Sequence, residues 1–316
     1  MTDKKPLIVL TGPTAVGKTA LSIALAKSVN GEIISADSMQ VYRGMDIGSA
    51  KITKEEMQGV KHYLIDVLDP EEEFNVVFFQ EKCKEAMEEI YDKGRIPVLT
   101  GGTGFYIQAI LKNVDFCDNS GDNSYRKMLE GLAQREGADV LHEMLCRVDP
   151  KAAEAIHKNN IKRTIRALEF YEQTGERISE HNAQEKEKES AYNALYIVLD
   201  DKRDRLYENI EKRVDLMFEQ GLVEEVKALK EKGYHKKMVS MQGIGYKEIL
   251  SALDGDITLE EAKELIKKET RHFAKRQLTW FRREKDVVWL PKYEFNYDTN
   301  RILEYILQLC KDKRII

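Results

Sequence analysis

Cysteine, histidine and long apolar runs are scarce in this chain, and each scarcity excludes something. The four cysteines, Cys83, Cys117, Cys146 and Cys310, lie far apart and form no CxxC pair, so neither a disulfide framework nor a thiolate metal site is expected. The six histidines show no HExxH or HxxxH spacing, which makes a structural zinc site equally unexpected. No stretch reaches the roughly 18 apolar residues of a membrane span, and the apolar run near the start, Leu7 to Leu10, is too short for the core of a signal peptide. The expectation is a cytoplasmic protein with no membrane partner. Gly 19 and Pro 6 in 316 residues are too few for a low-complexity chain.

What is present describes a soluble globular protein of about two domains, with 42% hydrophobic and 33% charged residues. Fifty basic residues against 55 acidic ones leave a net charge of −5, which taken alone argues against a polyanionic partner. That average conceals unlike segments. Residues 54–92 hold 12 acids and 4 bases, whereas 151–166 hold five bases against Glu154 and 271–285 hold six against Glu284. The last segment interleaves Phe273, Trp280 and Phe281, which at helical spacing either pack into a core or stack on bases.

The first hundred residues alternate strand-like and helix-like stretches. Leu7–Leu10, Glu32–Asp37, His62–Val67 and Ile96–Thr100 read as strands. A helix is predicted from Lys18 to Val29, and a second along the face of Phe79, Cys83, Ala86 and Ile90, stopped by Gly94. Such alternation builds a parallel sheet covered on both faces. From Asp115 the pattern becomes helical, over Tyr125–Arg135, Val140–Arg147 and Pro150–Thr174, and closes in the charged linker or exposed helix end His181–Ser190. Asn193–Asp200 restores a buried strand. Helices follow over Arg203–Glu219, Leu222–Glu231 and Gly245–Leu253. A capping box at Thr258 opens a long helix reaching toward Lys285, and Val287–Leu290 is a last strand. The prediction is an α/β fold, a P-loop NTPase-like parallel sheet flanked by helices, formed by 1–114 and 191–316 with a helical insertion domain at 115–190.

Gly12, Pro13, Thr14, Ala15, Val16, Gly17, Lys18 and Thr19 match GxxxxGK[ST] between a strand and a helix, the context that makes this motif credible. Backbone N–H groups would wrap a phosphate, Lys18 would add a full charge, and the Thr19 hydroxyl would hold Mg²⁺. Most such loops serve kinases or NTPases. The strand ending at Thr100 runs into Thr-Gly-Gly-Thr-Gly without an acid to orient hydrolytic water, and no guanine-reading NKxD motif follows. Asp37, ending the next strand, is the more telling acid, although a turn or cap role suits it as well.

Its neighbours carry a resemblance. Gly12-Pro-Thr-Ala-Val-Gly-Lys-Thr19, Asp37-Ser-Met-Gln-Val-Tyr42, Gly101-Gly-Thr-Gly-Phe-Tyr106, Lys162-Arg-Thr-Ile-Arg-Ala-Leu-Glu169, Gln242-Gly-Ile-Gly-Tyr-Lys-Glu248 and Thr270-Arg-His-Phe-Ala-Lys-Arg-Gln-Leu-Thr-Trp-Phe-Arg282 stand in the order of the tRNA dimethylallyltransferase family. The chain resembles that family over nearly its whole length. Val16 stands where the family often has Ser, and Phe105 where another apolar residue is common; neither removes a group the chemistry needs.

The resemblance implies transfer of a dimethylallyl group from its diphosphate to N6 of the adenosine 3′ of the anticodon in tRNA, with release of pyrophosphate. The loop would then cradle a leaving diphosphate, with Mg²⁺ on Thr19. Asp37 would accept the N6 proton, and Thr103 would stand at the reacting end of the site or serve only its glycine turn. Arg213 matches a position that grips the diphosphate, with Arg205 on the same helix as the alternative. Contact with the tRNA anticodon stem-loop falls by family position to Asp37, Ser38, Met39 and Gln40, to Thr103 and Arg126, and to Lys162, Arg163, Thr164, Ile165 and Arg166. Gln242, Gly243, Ile244, Gly245, Tyr246 and Lys247 complete that set. A monomer is expected by family. The rival readings are a P-loop kinase of a small metabolite or nucleoside, an isopentenyltransferase acting on AMP, ADP or ATP, and an RNA-binding protein with a vestigial loop.

Overall fold

Leu7, Ile8, Val9 and Leu10 have no exposed surface, as a strand covered on both faces requires. In a computed structural model that describes residues 4–116 and 124–316, they form the middle of β1 (Pro6–Thr11). Cys117 lies outside the described residues. There follow α1 (Lys18–Ser28), β2 (Gly31–Ala36), β3 (His62–Tyr63), α2 (Val76–Asp92), β4 (Ile96–Gly101) and α3 (Gly104–Leu111). Next come α4 (Ser124–Glu136), α5 (Ala138–Val148), α6 (Pro150–Ala155), α7 (Ile161–Thr174) and α8 (Ile178–Glu187). The chain then continues through β5 (Asn193–Asp200), α9 (Arg203–Glu219), α10 (Leu222–Glu231), α11 (Tyr246–Leu253), α12 (Leu259–Phe281), β6 (Val287–Pro291) and α13 (Thr299–Asp312). No helix among the described residues is long and apolar enough to cross a membrane.

The contacts divide the chain into two units. One runs to Leu111 and resumes at Ser190; the other is Lys112–Glu189. The sequence pattern places these boundaries at 115 and 190.

In the first unit all six strands are parallel, in the order β3-β2-β4-β1-β5-β6. β1 therefore lies between β4 and β5, with Ile8 opposite both Val98 and Leu195. Successive side chains of β1 enter different cores. Leu7 and Val9 pack with Ile34, Leu99 and residues of α2, α3, α10, α11 and α12, while Ile8 and Leu10 pack with Ile33, Val98, Ile197 and residues of α1, α9 and α13. The sheet is covered by helices on both faces, and its carboxyl ends, where ligands bind in such sheets, gather Gly12, Asp37 and Gly102. The second unit has its own core of Leu129, Leu141, Leu145, Ala152, Ala153, Ile165 and Leu168.

Four expectations need correction. The predicted strand His62–Val67 shortens to two residues because Leu64 and Asp66 adopt left-handed φ values of 63° and 54°. The helix expected over Pro150–Thr174 is two helices, broken where Ile156 turns extended and Asn160 caps the next by accepting from Arg163 N. The long helix ends at Phe281 instead of continuing toward Lys285, although its capping box of Thr258 and Glu261 forms as expected. Finally, α13 was not anticipated, yet Ile302, Ile306 and Cys310 recur on its buried face behind Asp298, whose side chain caps it.

Candidate active site

The motif loop is shaped by contacts behind it. A Cβ on Gly12 would stand 2.6 Å from the Leu199 carbonyl oxygen, so only glycine lets β1 turn here. Gly12, Pro13 and Val16 are buried, while Thr14, Ala15, Gly17, Lys18 and Thr19 face a cavity of about 1170 Å³. Lys18 Nζ donates to the carbonyls of Gly12 and Pro13 at 3.0 and 2.8 Å, curling over the loop. Burial, reinforced by the Arg213 charge and opposed by Asp37, lowers its pKa to about 7. The side chain keeps some exposed area toward the cavity, but protein encloses it on its other sides.

Arg213 reaches the loop from α9 and donates Nη1 to Thr14 Oγ1 at 3.3 Å. Burial lowers its pKa, with Asp37 again opposing. Arg205 is elsewhere: its guanidinium stacks 3.8 Å from the Tyr297 ring centroid, with Nε 3.6 Å from Asp201. Only Arg213 lines the cavity, which separates the two arginines that the sequence left open.

Asp37 follows β2 directly. Its Oδ1 accepts from Met39 N at 2.8 Å and Gln40 N at 3.4 Å, so the turn role and a place on the cavity wall coexist. Oδ2 makes no hydrogen bond among the described residues. Thr103 N donates to Ala36 O at 3.2 Å, bringing that threonine beside the end of β2 and into the same cavity. Ser38, Met39 and Gln40 line the adjoining wall, as do Gln242, Gly243, Ile244, Gly245 and Lys247. Tyr246 differs: it is fully buried, and its hydroxyl donates to Glu225 Oε1 at 2.8 Å. Glu225 also accepts from Asp46 N, Ile47 N and Gly48 N at 2.9, 2.7 and 3.1 Å, tying down the loop that continues the wall.

In the second unit, Arg126 forms a bidentate pair with Glu169, Nε and Nη2 at 2.8 and 2.7 Å from its two carboxylate oxygens. Along α7, Lys162, Arg163 and Arg166 share an outer face, of which Lys162 and Arg163 are exposed. Thr164 and Ile165 turn inward: Thr164 is fully buried, donating to Asn160 O, and Ile165 joins the core. These two side chains are therefore not presented to a partner. Of the three aromatics expected either to pack or to stack, Phe281 is fully buried and Trp280 packs edge-on against Phe105, leaving Phe273 on the cavity.

Among the described residues no three His, Cys, Asp or Glu side chains group as a metal site. A hard cation fits the loop differently. The Thr19 hydroxyl is exposed, opens on the cavity and makes no hydrogen bond among the described residues, leaving it free to join diphosphate oxygens and water around Mg²⁺. Three residues that shape this site had no role in the sequence reading: Glu225, Lys292, whose Nζ donates to Val16 O at 2.9 Å, and Gln277. Gln277 lay within the Thr270–Arg282 motif that carries the family resemblance, but nothing in that motif singled out its amide.

The sequence profile of the IPP transferase family matches residues 40–284. The chain is 61% identical over 312 residues to a tRNA dimethylallyltransferase of Lachnoclostridium phytofermentans, covering 99% of each. It is 50% identical over 303 residues to one of Acetivibrio thermocellus, covering 95% of this chain and 97% of that one. Among solved structures it resembles the full-length tRNA isopentenylpyrophosphate transferase of Bacillus halodurans, with TM-score 0.74, 46% identity and 98% of each chain covered. A eukaryotic dimethylallyltransferase captured acting on tRNA gives TM-score 0.79 at 33% identity, covering 91% of this chain and 74% of that one.

Proposed function

The chain belongs to the IPP transferase family, and from that premise we propose that it transfers a dimethylallyl group from dimethylallyl diphosphate to N6 of the adenosine 3′-adjacent to the anticodon in tRNA. The names of its relatives favour tRNA as acceptor over a free nucleotide, and prenyl transfer over phosphoryl transfer. One observation carries the reading: a cationic phosphate cradle and an unengaged carboxylate oxygen open on one cavity, as a reaction that expels a diphosphate and removes a proton requires.

In the proposed reaction the allylic C–O bond breaks and its electron pair leaves with pyrophosphate. Lys18, Arg213 and the backbone N–H groups at the start of α1 stabilise the negative charge that develops there. The N6 lone pair forms the new C–N bond, and its proton passes to Asp37 Oδ2. A positioned base of this kind contributes about 10² to 10⁴ in rate. Met39 N and Gln40 N hold the other oxygen, so the carboxylate keeps its orientation. Mg²⁺ held by Thr19 and the diphosphate would supply further charge stabilisation. The acceptor base must leave its stack to enter the cavity, where Ser38 to Gln40, Gln242 to Gly245 and Lys247 form walls suited to receiving it. The outer face of α7, with Lys162, Arg163 and Arg166, is suited to RNA phosphates. The protein is proposed to act in the cytoplasm as a monomer.

Incubation with Mg²⁺, dimethylallyl diphosphate and an unmodified tRNA carrying adenosine beside the anticodon, followed by nucleoside mass spectrometry, tests this. An N6-dimethylallyl adenosine product is expected. Its absence, or ATP-dependent phosphorylation of a metabolite, would overturn the assignment.

A further inference from the structure

Two loops enter the cavity from neighbouring strands, and one side chain joins them. Gln277, on α12, is 6% exposed. Its Oε1 accepts from Thr14 N at 2.8 Å and its Nε2 donates to Gly102 O at 2.9 Å. Thr14 belongs to the phosphate loop and also takes the Arg213 hydrogen bond; Gly102 precedes Thr103, whose N–H binds Ala36 O just before Asp37. A continuous series of contacts therefore runs from Arg213 through Thr14, Gln277, Gly102 and Thr103 to the residue next to Asp37.

The chemistry at this joint demands a primary amide. A half-buried N–H and a buried C=O must be satisfied together, by an acceptor and a donor on the same side-chain end. An ionised glutamate has no donor, a lysine has no acceptor, and asparagine is one methylene shorter. The approach is also close: a Cβ on Gly102 would stand 2.2 Å from Gln277 Nε2, so residue 102 has to be glycine while the amide is in place.

We propose that Gln277 is a positioning residue that fixes the separation between the diphosphate cradle and Asp37. This inference rests on the prenyl-transfer reading, in which the leaving group is held by one of the joined loops and the proton acceptor stands beside the other. The diphosphate meets the phosphate loop and Arg213, and the base meets the walls beyond Asp37, so neither binding step by itself requires the two joined loops to be in register. The transition state alone requires both loops in register, so loss of the joint lowers kcat and leaves substrate affinity nearly unchanged.

The test uses the full chain with Mg²⁺, dimethylallyl diphosphate and an unmodified anticodon stem-loop RNA. Product formation by the unsubstituted protein is the control for the transfer reading; no product there would overturn that reading and this inference with it. Gln277→Glu retains the acceptor for Thr14 and loses the donor for Gly102, while Gln277→Met loses both. Both are expected to lower kcat by about 100-fold, with pyrophosphate affinity and the RNA KM within about twofold of the unsubstituted values. A folded variant of either kind with undiminished kcat, or a loss confined to KM, would refute the proposal. Should these variants fail to fold by circular dichroism, Gly102→Ala displaces the same amide without altering it. It is expected to show the same kcat-selective loss, and normal turnover there would be equally damaging. Where the variants fold, Gly102→Ala combined with Gln277→Glu should cost scarcely more than either alone, whereas additive losses would show that Gln277 does not act through Gly102.

Discussion

The hydroxyl of Tyr246 donates to Glu225 Oε1 at 2.8 Å, and that carboxylate in turn holds the backbone of Asp46, Ile47 and Gly48. Tyr246 thus supports the cavity wall from behind, although it sits in a run otherwise facing the cavity. Tyr246→Phe is expected to lower unfolding free energy by about 1 kcal/mol, the ordinary net worth of a hydrogen bond, measured by denaturant titration. The salt dependence of RNA binding should not change, because no phosphate contact is lost. A flatter salt dependence would mean that Tyr246 touches the RNA after all.

Asp37→Asn keeps an oxygen for Met39 N while removing the proton acceptor. Single-turnover rates are expected to fall by about 10² to 10⁴, with RNA affinity preserved. A variant within a few-fold of the original rate would show that Asp37 serves only its turn.

Lys18 has a pKa lowered to about 7 in the ligand-free protein, chiefly by burial. Below pH 7 it is already charged; between pH 7 and its ordinary range near 10.5 it is largely neutral and must gain a proton to meet an anion. Pyrophosphate binding at pH 8 should therefore take up more protons in the original protein than in Lys18→Gln, as calorimetry in buffers of different ionisation enthalpy would reveal. At pH 6 the difference should shrink. Equal uptake by both proteins at pH 8 would contradict the shift.

Arg213→Ala is expected to weaken pyrophosphate binding, since its guanidinium meets the phosphate loop at Thr14. Arg205→Ala, which removes the contacts with Tyr297 and Asp201 at a site away from the cavity, should leave it unchanged. Equilibrium binding on the two variants distinguishes them, and the reverse pattern would exchange their roles.

Arg163→Ala removes an exposed charge from the outer face of α7 and should weaken tRNA binding while reducing the slope of log affinity against log salt by about 1. Affinity for the diphosphate should stay constant. An unaltered slope would remove Arg163 from the RNA contacts.

Most of the sheet was legible because fully buried parallel strands read as short apolar runs, Leu7–Leu10 and Asn193–Asp200 among them. His62–Val67 misled because left-handed Leu64 and Asp66 leave no mark in a hydrophobic run. In the site, the phosphate loop could be read from local spacing alone, whereas spacing left Asp37 between a turn role and a catalytic one, and only the family resemblance of its neighbours pointed to the second. Gln277 and Glu225 could not be read in this way: their partners are main-chain groups 263 and 179 residues away, at Thr14 and Asp46, and a backbone N–H has no sequence signature. The two arginines of α9 were indistinguishable for a related reason. They lie on one helix, and only the packing of Tyr297 and of Thr14 around it tells them apart.

The strand order also dictates a timetable for synthesis. Ile8 finds one partner in Val98 but must wait for Leu195, whose codon comes 187 positions later, before its other edge is paired. At translation rates of about 5 to 20 residues per second, that edge of β1 stays open for about 10 to 40 s. Within this interval the ribosome makes the whole of Lys112–Glu189, a segment with a core of its own. The nascent protein thus carries an unpaired apolar strand edge past the completion of a second unit, and Pro6–Thr11 is where a chaperone, or a neighbouring nascent chain, would find it.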